Sequence, residues 1–143
     1  MRPSLPTSAV RVALLLAVLS AALLTCGQPA ASSAPLTGKL WQWTESGISE
    51  PAAIADPTRY TITFATDGTY SARVDCNQAT GSFTTTAEGG ISIQPGPSTL
   101  VGCPADSQAD VYLAGLLAAT SYTVSDTELV LTTATGTMTF APG

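Results

Sequence analysis

The sequence predicts an α+β fold in which one strongly curved, mainly antiparallel sheet of about seven or eight strands packs against a single helix. Two observations support this prediction. From Leu40 onward, β-branched and aromatic residues alternate with polar ones, and Gly, Asp and Pro stand at the breaks. A helical pattern occurs at about residues 107–118, and without a second such pattern we expect no parallel crossovers.

The first half of the predicted sheet is a strand, a loop and a hairpin. Trp41 and Trp43 share one face of the first strand, which favours a core role over a carbohydrate platform. After a loop over 45–57, a strand at 58–64 turns at Asp67-Gly68, because Gly accepts the positive φ of such turns. The side chains of this hairpin that we expect to point inward are those of Tyr60, Ile62, Phe64, Tyr70, Ala72, Val74 and Cys76.

The second half contains short strands and the helix. We expect a strand at 81–86 with Phe83 inward, another marked by Ile91 and Ile93, and an irregular segment over 95–104. Ser107 and Asp110 predict a capping box at the start of the helix. The apolar stripe of the helix comprises Ala109, Tyr112, Leu113, Leu116 and Leu117. Strands at 121–124, 129–131 and 137–140 close the chain.

The N-terminus has the pattern of an export signal. Arg2 and Arg11 precede a run of 13 residues over 12–24 that is apolar except for Ser20, which suits a signal-peptide core and is short for a membrane span. The following Leu23-Leu24-Thr25-Cys26-Gly27 resembles the lipobox of bacterial lipoproteins, although Thr25 replaces the usual small residue. We therefore expect a signal peptide over 1–25, a lipidated Cys26 that anchors the protein to the membrane, a flexible tether over 26–36 and one domain over 37–143. The alternative is cleavage within 30–34, which would release a secreted protein.

Cysteines of exported proteins usually pair in disulfides, so an odd number leaves one without a partner. If Cys26 of the three cysteines serves the anchor, two remain to form a disulfide. Cys76 and Cys103 remain, and a disulfide between them would stabilise the fold by about 3 kcal/mol in the chain-entropy model. The alternative is a reactive Cys76 thiolate. It is disfavoured because the chain has no histidine, and because the neighbouring Asp75 would raise the pKa of the thiol.

Composition excludes several function classes. Three basic residues beyond the targeting segment, Lys39, Arg59 and Arg73, stand against ten acidic ones, a formal charge of −7. Such a domain repels nucleic acids and anionic lipid surfaces. With no histidine, the chain cannot form a Ser-His-acid triad or an imidazole-based metal site. The sequence also contains neither a phosphate-binding Gly-rich loop nor a Gly-x-Ser-x-Gly elbow.

Carboxylate pairs are the remaining candidates for catalysis. Glu45 with Glu50, or Asp126 with Glu128, have the residue types for acid–base chemistry or calcium binding. Each pair lies on a predicted loop or turn, where acids commonly serve solubility. We therefore predict no catalytic residue, no metal site and no cofactor.

Several short motifs together resemble one family. These motifs are Leu40-Trp41-x-Trp43, Thr61-Ile62-Thr63-Phe64 before Asp67-Gly68, Cys76-Asn77-x-x-x-Gly81-x-Phe83, Ser98-Thr99 shortly before Cys103, Leu129-x-Leu131 and Met138-x-Phe140. Over about 36–140 the chain is similar to the META domain, or HslJ-like, family. The resemblance implies a compact antiparallel sheet with helix cover, usually in bacterial envelope lipoproteins. Some members are linked to novobiocin tolerance or heat shock, and trypanosomatid relatives to motility and virulence.

The resemblance carries no catalytic residues. It marks Cys76, Asn77, Gly81, Thr99 and Cys103 as signature positions, for which we expect an architectural role. In the alternative interpretation, Asn77, Thr99 and Arg73 line a ligand groove.

Three functional hypotheses follow. The first is a non-enzymatic, monomeric envelope protein, anchored through Cys26, that has a structural or partner-binding role, including in envelope stress or antibiotic tolerance. The second is a module for small or hydrophobic ligands that uses the 45–57 and 94–103 loops as rims. The third, a carboxylate-based hydrolase, requires two acids close together across a cleft.

Overall fold

The structure, a computed structural model, describes residues 35–48 and 51–143. The predicted signal peptide, Cys26 and the tether up to residue 34 lie outside the described residues. Leu36, predicted as the last tether residue, is only 7% exposed, and its carbonyl oxygen accepts a hydrogen bond from Trp41 Nε1. The ordered domain therefore includes Leu36. Within the described part of the chain, no helix is long and apolar enough to cross a membrane.

In the described residues, nine strands form one antiparallel sheet, and one α-helix accompanies it. The strands are β1 Leu40–Ser46, β2 Ala52–Ala53, β3 Tyr60–Phe64, β4 Thr69–Val74, β5 Asn77–Thr85, β6 Ile91–Ser98, β7 Ser121–Val124, β8 Leu129–Thr133 and β9 Gly136–Pro142. A 3₁₀ turn spans Pro57–Arg59, and helix α1 spans Ala109–Leu117. The order across the sheet is β6-β5-β4-β3-β1-β9-β8-β7, with β2 paired to β1.

The sheet curls into a half-barrel whose two outer strands approach each other at one end. The Ile91 amide donates a hydrogen bond to the Thr120 carbonyl at 3.0 Å, and the Tyr122 amide donates one to the Gly89 carbonyl at 2.8 Å. Helix α1 packs against the inner face through Tyr112 and Leu116, both fully buried. The predicted α+β class, with its curved antiparallel sheet and single helix, is confirmed.

Alternating apolar side chains build the core. Trp41 and Trp43 are fully buried, which confirms the core interpretation. The ring of Trp43 packs edge-on against Tyr60 at 5.7 Å between centroids and lies 5.3 Å from the Tyr112 ring. The sheet and the helix thus meet at an aromatic cluster, and burial of such large rings is a main stabilising term of the domain.

Several predicted boundaries are wrong. The loop predicted over 45–57 contains the end of β1, strand β2 and the start of the 3₁₀ turn. Strand β5 begins at Asn77 rather than at residue 81, and β6 continues through residues 95–98, which were predicted to be irregular. Strand β6 tolerates Pro95 and Pro97 because it lies at the edge of the sheet, where a missing amide donor leaves no neighbouring strand unpaired.

The prediction of a capping box at Ser107 and Asp110 is also wrong. Gln108 is the N-cap of α1 and makes no side-chain capping bond, while the Ser107 hydroxyl accepts a hydrogen bond from the Ala109 amide at 3.2 Å. The Gln108 amide donates instead to the hydroxyl of Tyr60 at 2.8 Å. A tertiary contact with the sheet thus fixes the start of the helix.

Candidate functional site

The predicted disulfide joins Cys76 to Cys103, with 5.5 Å between the Cα atoms. Cys76 is exposed, so the prediction that it points into the core is wrong. Strand β4 ends at Val74, and Asp75 takes a left-handed φ of +59°, which breaks the alternation of faces and turns the chain into β5. The disulfide therefore ties this turn to the loop between β6 and α1.

Asn77 reinforces the same connection with both ends of its amide. Its Oδ1 accepts hydrogen bonds from the Val101 amide at 2.7 Å and from the Thr99 hydroxyl at 2.9 Å. Its Nδ2 donates to the Val101 carbonyl at 2.8 Å and lies 3.4 Å from the sulfur atoms of Cys76 and Cys103. One side chain thus fixes the backbone of the loop beside the disulfide.

Thr99 and Gly81 have structural contacts of their own. The Thr99 hydroxyl accepts a hydrogen bond from the Gln78 amide at 2.9 Å while donating to Asn77. A Cβ at Gly81 would overlap the Gln94 carbonyl oxygen and would lie 2.6 Å from Cε1 of Tyr70. Only glycine fits this close approach, next to a register shift between β5 and β6.

An ion-pair network lies directly before the disulfide. The Asp75 carboxylate is 5% exposed and accepts two hydrogen bonds from Arg59, from Nε at 2.6 Å and from Nη2 at 2.7 Å. Arg59 Nη1 donates to the exposed carboxylate of Asp106 at 3.0 Å. Arg59 thus holds the β4–β5 turn and the segment before α1 together with a two-point contact.

These contacts shift the ionisation of the acids. The hydrogen bond from Arg59, followed by one from the Ser107 hydroxyl, holds the pKa of Asp75 below its usual value. The Arg59 hydrogen bond likewise lowers the pKa of Asp106. The network is therefore a charged structural joint that stays ionised at neutral pH, since lowered pKa values favour the carboxylate form.

The loop held by Asn77 and the disulfide carries two exposed apolar side chains. Leu100 is 92% exposed and Val101 is 63% exposed, and we call this pair the apolar tip. Behind the tip lies a depression of about 410 Å³ that is lined by the tip, Asn77, residues 102–104, Ser107, Ala109 and Asp110. A smaller opening of about 80 Å³ lies beside it between β5, β6 and α1, and the two share Asn77, Leu100, Ala109 and Asp110 as lining residues.

A family model named META domain matches residues 34–142, a range that includes every strand and helix that the structure describes. The chain belongs to the META domain family.

Solved structures share the fold of this META domain at low sequence identity. One is the crystal structure of a DUF4847 family protein from Bacteroides vulgatus, with 17% identity and a TM-score of 0.56 over 74% of this chain and 93% of that one. A second is an NMR structure of a protein from Burkholderia xenovorans, with 17% identity and a TM-score of 0.57 over 76% of this chain and 83% of that one. No curated protein matches the chain. The likeness to these structures concerns the fold alone.

The META domain brings four of its five signature positions together, whereas Arg73, the third residue of the predicted ligand groove, lies elsewhere. Cys76, Asn77, Thr99 and Cys103 form the connection between the β4–β5 turn and the loop before α1 that is described above, and Gly81 lies further along β5. Arg73 lies on the exposed face of β4, and its Nε donates to the Asp75 carbonyl at 3.1 Å. It lines a separate, outer depression with Thr61 and Gln78, so Asn77, Thr99 and Arg73 do not share one groove.

The structure gives different outcomes for the predicted carboxylate pairs and for the two loops that were predicted to border a ligand site. Glu45 lies on β1 rather than on a loop, and Glu50 lies outside the described residues. Asp126 and Glu128 are exposed in the β7–β8 turn. Of the loops expected to form a ligand site, 94–103 borders the depressions behind the tip, whereas no described residue of 45–57 lines them. No group of three potential metal ligands occurs within 35–48 and 51–143.

Arg59, Asp106 and the apolar tip are site residues that were not predicted from the sequence. One signal for the ion pair was available, because Asp75 stands between apolar Val74 and Cys76 in a chain with only three basic residues beyond the targeting segment. The sequence also indicated the apolar tip, since Leu100 and Val101 are adjacent apolar residues in a segment rich in Pro, Gly and Ser. Adjacent apolar side chains in a loop predict either an anchor into the core or a contact surface.

Proposed function

We propose that this META domain protein is a non-enzymatic cell-envelope protein that is exported, held on the extracytoplasmic side of the membrane through Cys26, and active by binding a protein partner through its apolar tip. The observation that carries the binding role is the exposure of Leu100 and Val101 on a loop held in place by Asn77 and the disulfide. Apolar side chains that stay exposed to water in the folded domain are typical of interaction surfaces.

Export is supported from two sides. The apolar segment after Arg2 and Arg11, followed by Thr25-Cys26-Gly27, has the order of a lipoprotein signal. The disulfide is the second support, because such bonds persist in oxidising compartments and are rare in the cytosol. If Cys26 is not lipidated, cleavage further along releases the same domain as a secreted protein.

The anchor is tested by intact-mass analysis of the protein from the membrane fraction. We expect an N-terminus at Cys26 that carries a diacylglycerol, and a loss of two hydrogen masses for the disulfide between the other two cysteines. Cys26→Ala is the matched control and should abolish lipidation without affecting the disulfide. A soluble product that starts beyond Cys26 would contradict the anchor.

The binding role is tested by a photo-crosslinking amino acid at position 100 in living cells. We expect a discrete crosslinked protein from position 100 and none from position 132, an exposed threonine position on β8. The crosslink should weaken when Val101 is replaced by Ser, because the partner loses apolar contact. Equal crosslinking from positions 100 and 132 would contradict a specific partner at the tip.

A further inference from the structure

The depression behind the apolar tip is open and has the volume of a small-molecule site. Its volume of about 410 Å³ falls within the range of about 300–1,000 Å³ for small-molecule pockets. Leu100, Val101 and Pro104 supply apolar surface, and the smaller opening beside it reaches Val74 and Leu113. The apolar part of a ligand could therefore contact the loop residues on one side and Val74 and Leu113 on the other.

The formal charge at this site is negative, and the amides of the first turn of α1 add a partial positive charge that Asp110 offsets. Asp110 lines both the depression and the smaller opening, and no lysine or arginine of residues 35–48 and 51–143 lines either of them. Within the described residues, Asp110 forms no ion pair, whereas the basic side chain of Arg59 is engaged by Asp75 and Asp106. The formal charge of −7 beyond the targeting segment adds a field that attracts cations to the surface.

We propose that the depression between the 98–104 loop and the first turn of α1 binds small amphiphilic cations. The apolar part of such a ligand packs against Leu100 and Val101 and enters the opening towards Val74 and Leu113. Its ammonium group lies near the Asp110 carboxylate. The electrostatic attraction between these two groups weakens as the ionic strength rises. The proposal rests on the same loop as the proposed function but not on a protein partner.

The site is held in place before any ligand arrives. The three hydrogen bonds that link Asn77 to Val101 and Thr99, together with the disulfide at Cys103, fix the loop that forms its outer wall. A wall that is already ordered loses little conformational entropy on binding, which favours affinity. Reduction of the disulfide should therefore weaken binding.

The test is calorimetric titration of the protein produced from the full chain, in nanodiscs of zwitterionic lipid, with empty nanodiscs as the blank. Hexyltrimethylammonium is the probe, tetramethylammonium lacks its apolar part, and hexanesulfonate reverses its charge. We expect saturable binding of the first only. Asp110→Asn should weaken it about fivefold at low salt, because one exposed charge pair is lost. Asp126→Asn, which changes an exposed acid in the β7–β8 turn, is the matched control and should leave the affinity unchanged.

Two results would overturn the inference. One is binding of hexanesulfonate as strong as that of hexyltrimethylammonium. The other is equal affinity of the wild type and the Asp110→Asn variant, whose thermal unfolding midpoint confirms that it is folded. The crosslink at position 100 reports on the protein partner independently. A crosslink without cation binding would support the proposed function and contradict the cation site. Cation binding without a crosslink would support the cation site and contradict the protein partner.

Discussion

Asn77 is the residue on which the loop geometry depends most. It contacts both backbone groups of Val101 and the Thr99 hydroxyl, whereas the side chain of its neighbour Gln78 is exposed. We expect Asn77→Ala to lower the free energy of unfolding by about 2 kcal/mol, since several hydrogen bonds are lost together. The Val101 amide should also exchange faster with solvent. Denaturant unfolding and hydrogen exchange measure these effects. Gln78→Ala is the control, and an equal loss in both variants would contradict the assignment.

Two tyrosines offer a matched comparison of hydroxyl groups. The Tyr60 hydroxyl accepts a hydrogen bond from the Gln108 amide, while the Tyr112 hydroxyl is buried and has no partner among residues 35–48 and 51–143. We expect Tyr60→Phe to lower the free energy of unfolding by about 1 kcal/mol, and Tyr112→Phe to leave it unchanged or raise it, because a desolvated group is removed. Denaturant unfolding of both variants decides this. A larger loss for Tyr112→Phe would show that its hydroxyl has a partner.

At the scale of the elements, alternation of apolar side chains was the reliable signal. It correctly predicted the inward faces of β3 and β4 and the helix stripe with Tyr112 and Leu116, because burial of those side chains drives the pairing of strands with the helix. It failed where no apolar side chain marks a strand. Residues 77–80 and 95–98 are mostly polar, small or proline, yet backbone hydrogen bonding extends β5 and β6 through them.

The candidate site was harder to predict than the sheet. The pairing of Cys76 with Cys103 followed from counting cysteines, but the side to which Cys76 points did not, because the left-handed conformation of Asp75 reverses the alternation. The ion pair between Arg59 and Asp75 spans 16 residues and depends on how a 3₁₀ turn meets a strand end. Local patterns contain no information on such a tertiary contact.

The Asp75 joint makes stability depend on pH. The pKa of Asp75 is lowered in the folded protein, chiefly by Arg59, so near and below pH 4 the unfolded chain binds more protons than the folded one. The stabilisation is complete above about pH 4–5 and is lost as pH falls through the folded pKa. We expect Asp75→Asn to lower the thermal midpoint at pH 6 and to reduce its fall between pH 5 and pH 2.5.

Asparagine is the suitable substitution at position 75 because it keeps the shape of the side chain and tolerates the left-handed φ that Asp75 adopts. The change therefore removes charge without straining the turn. Thermal unfolding followed by circular dichroism over this pH range makes the comparison. If the midpoint falls as steeply with acid in Asp75→Asn as in the wild type, other carboxylates carry the pH dependence.

For the whole molecule, the disulfide is the strongest single constraint outside the core. It closes a separation of 27 residues that includes β5, β6 and the apolar tip. We expect Cys76→Ser with Cys103→Ser to lower the free energy of unfolding by about 3 kcal/mol, mostly because the unfolded chain gains freedom. Since Cys76 is exposed, dithiothreitol should produce the same loss in the wild type without prior unfolding, and none in the double variant. A loss below about 1 kcal/mol would show that Asn77 and Arg59 hold the loop without the bridge.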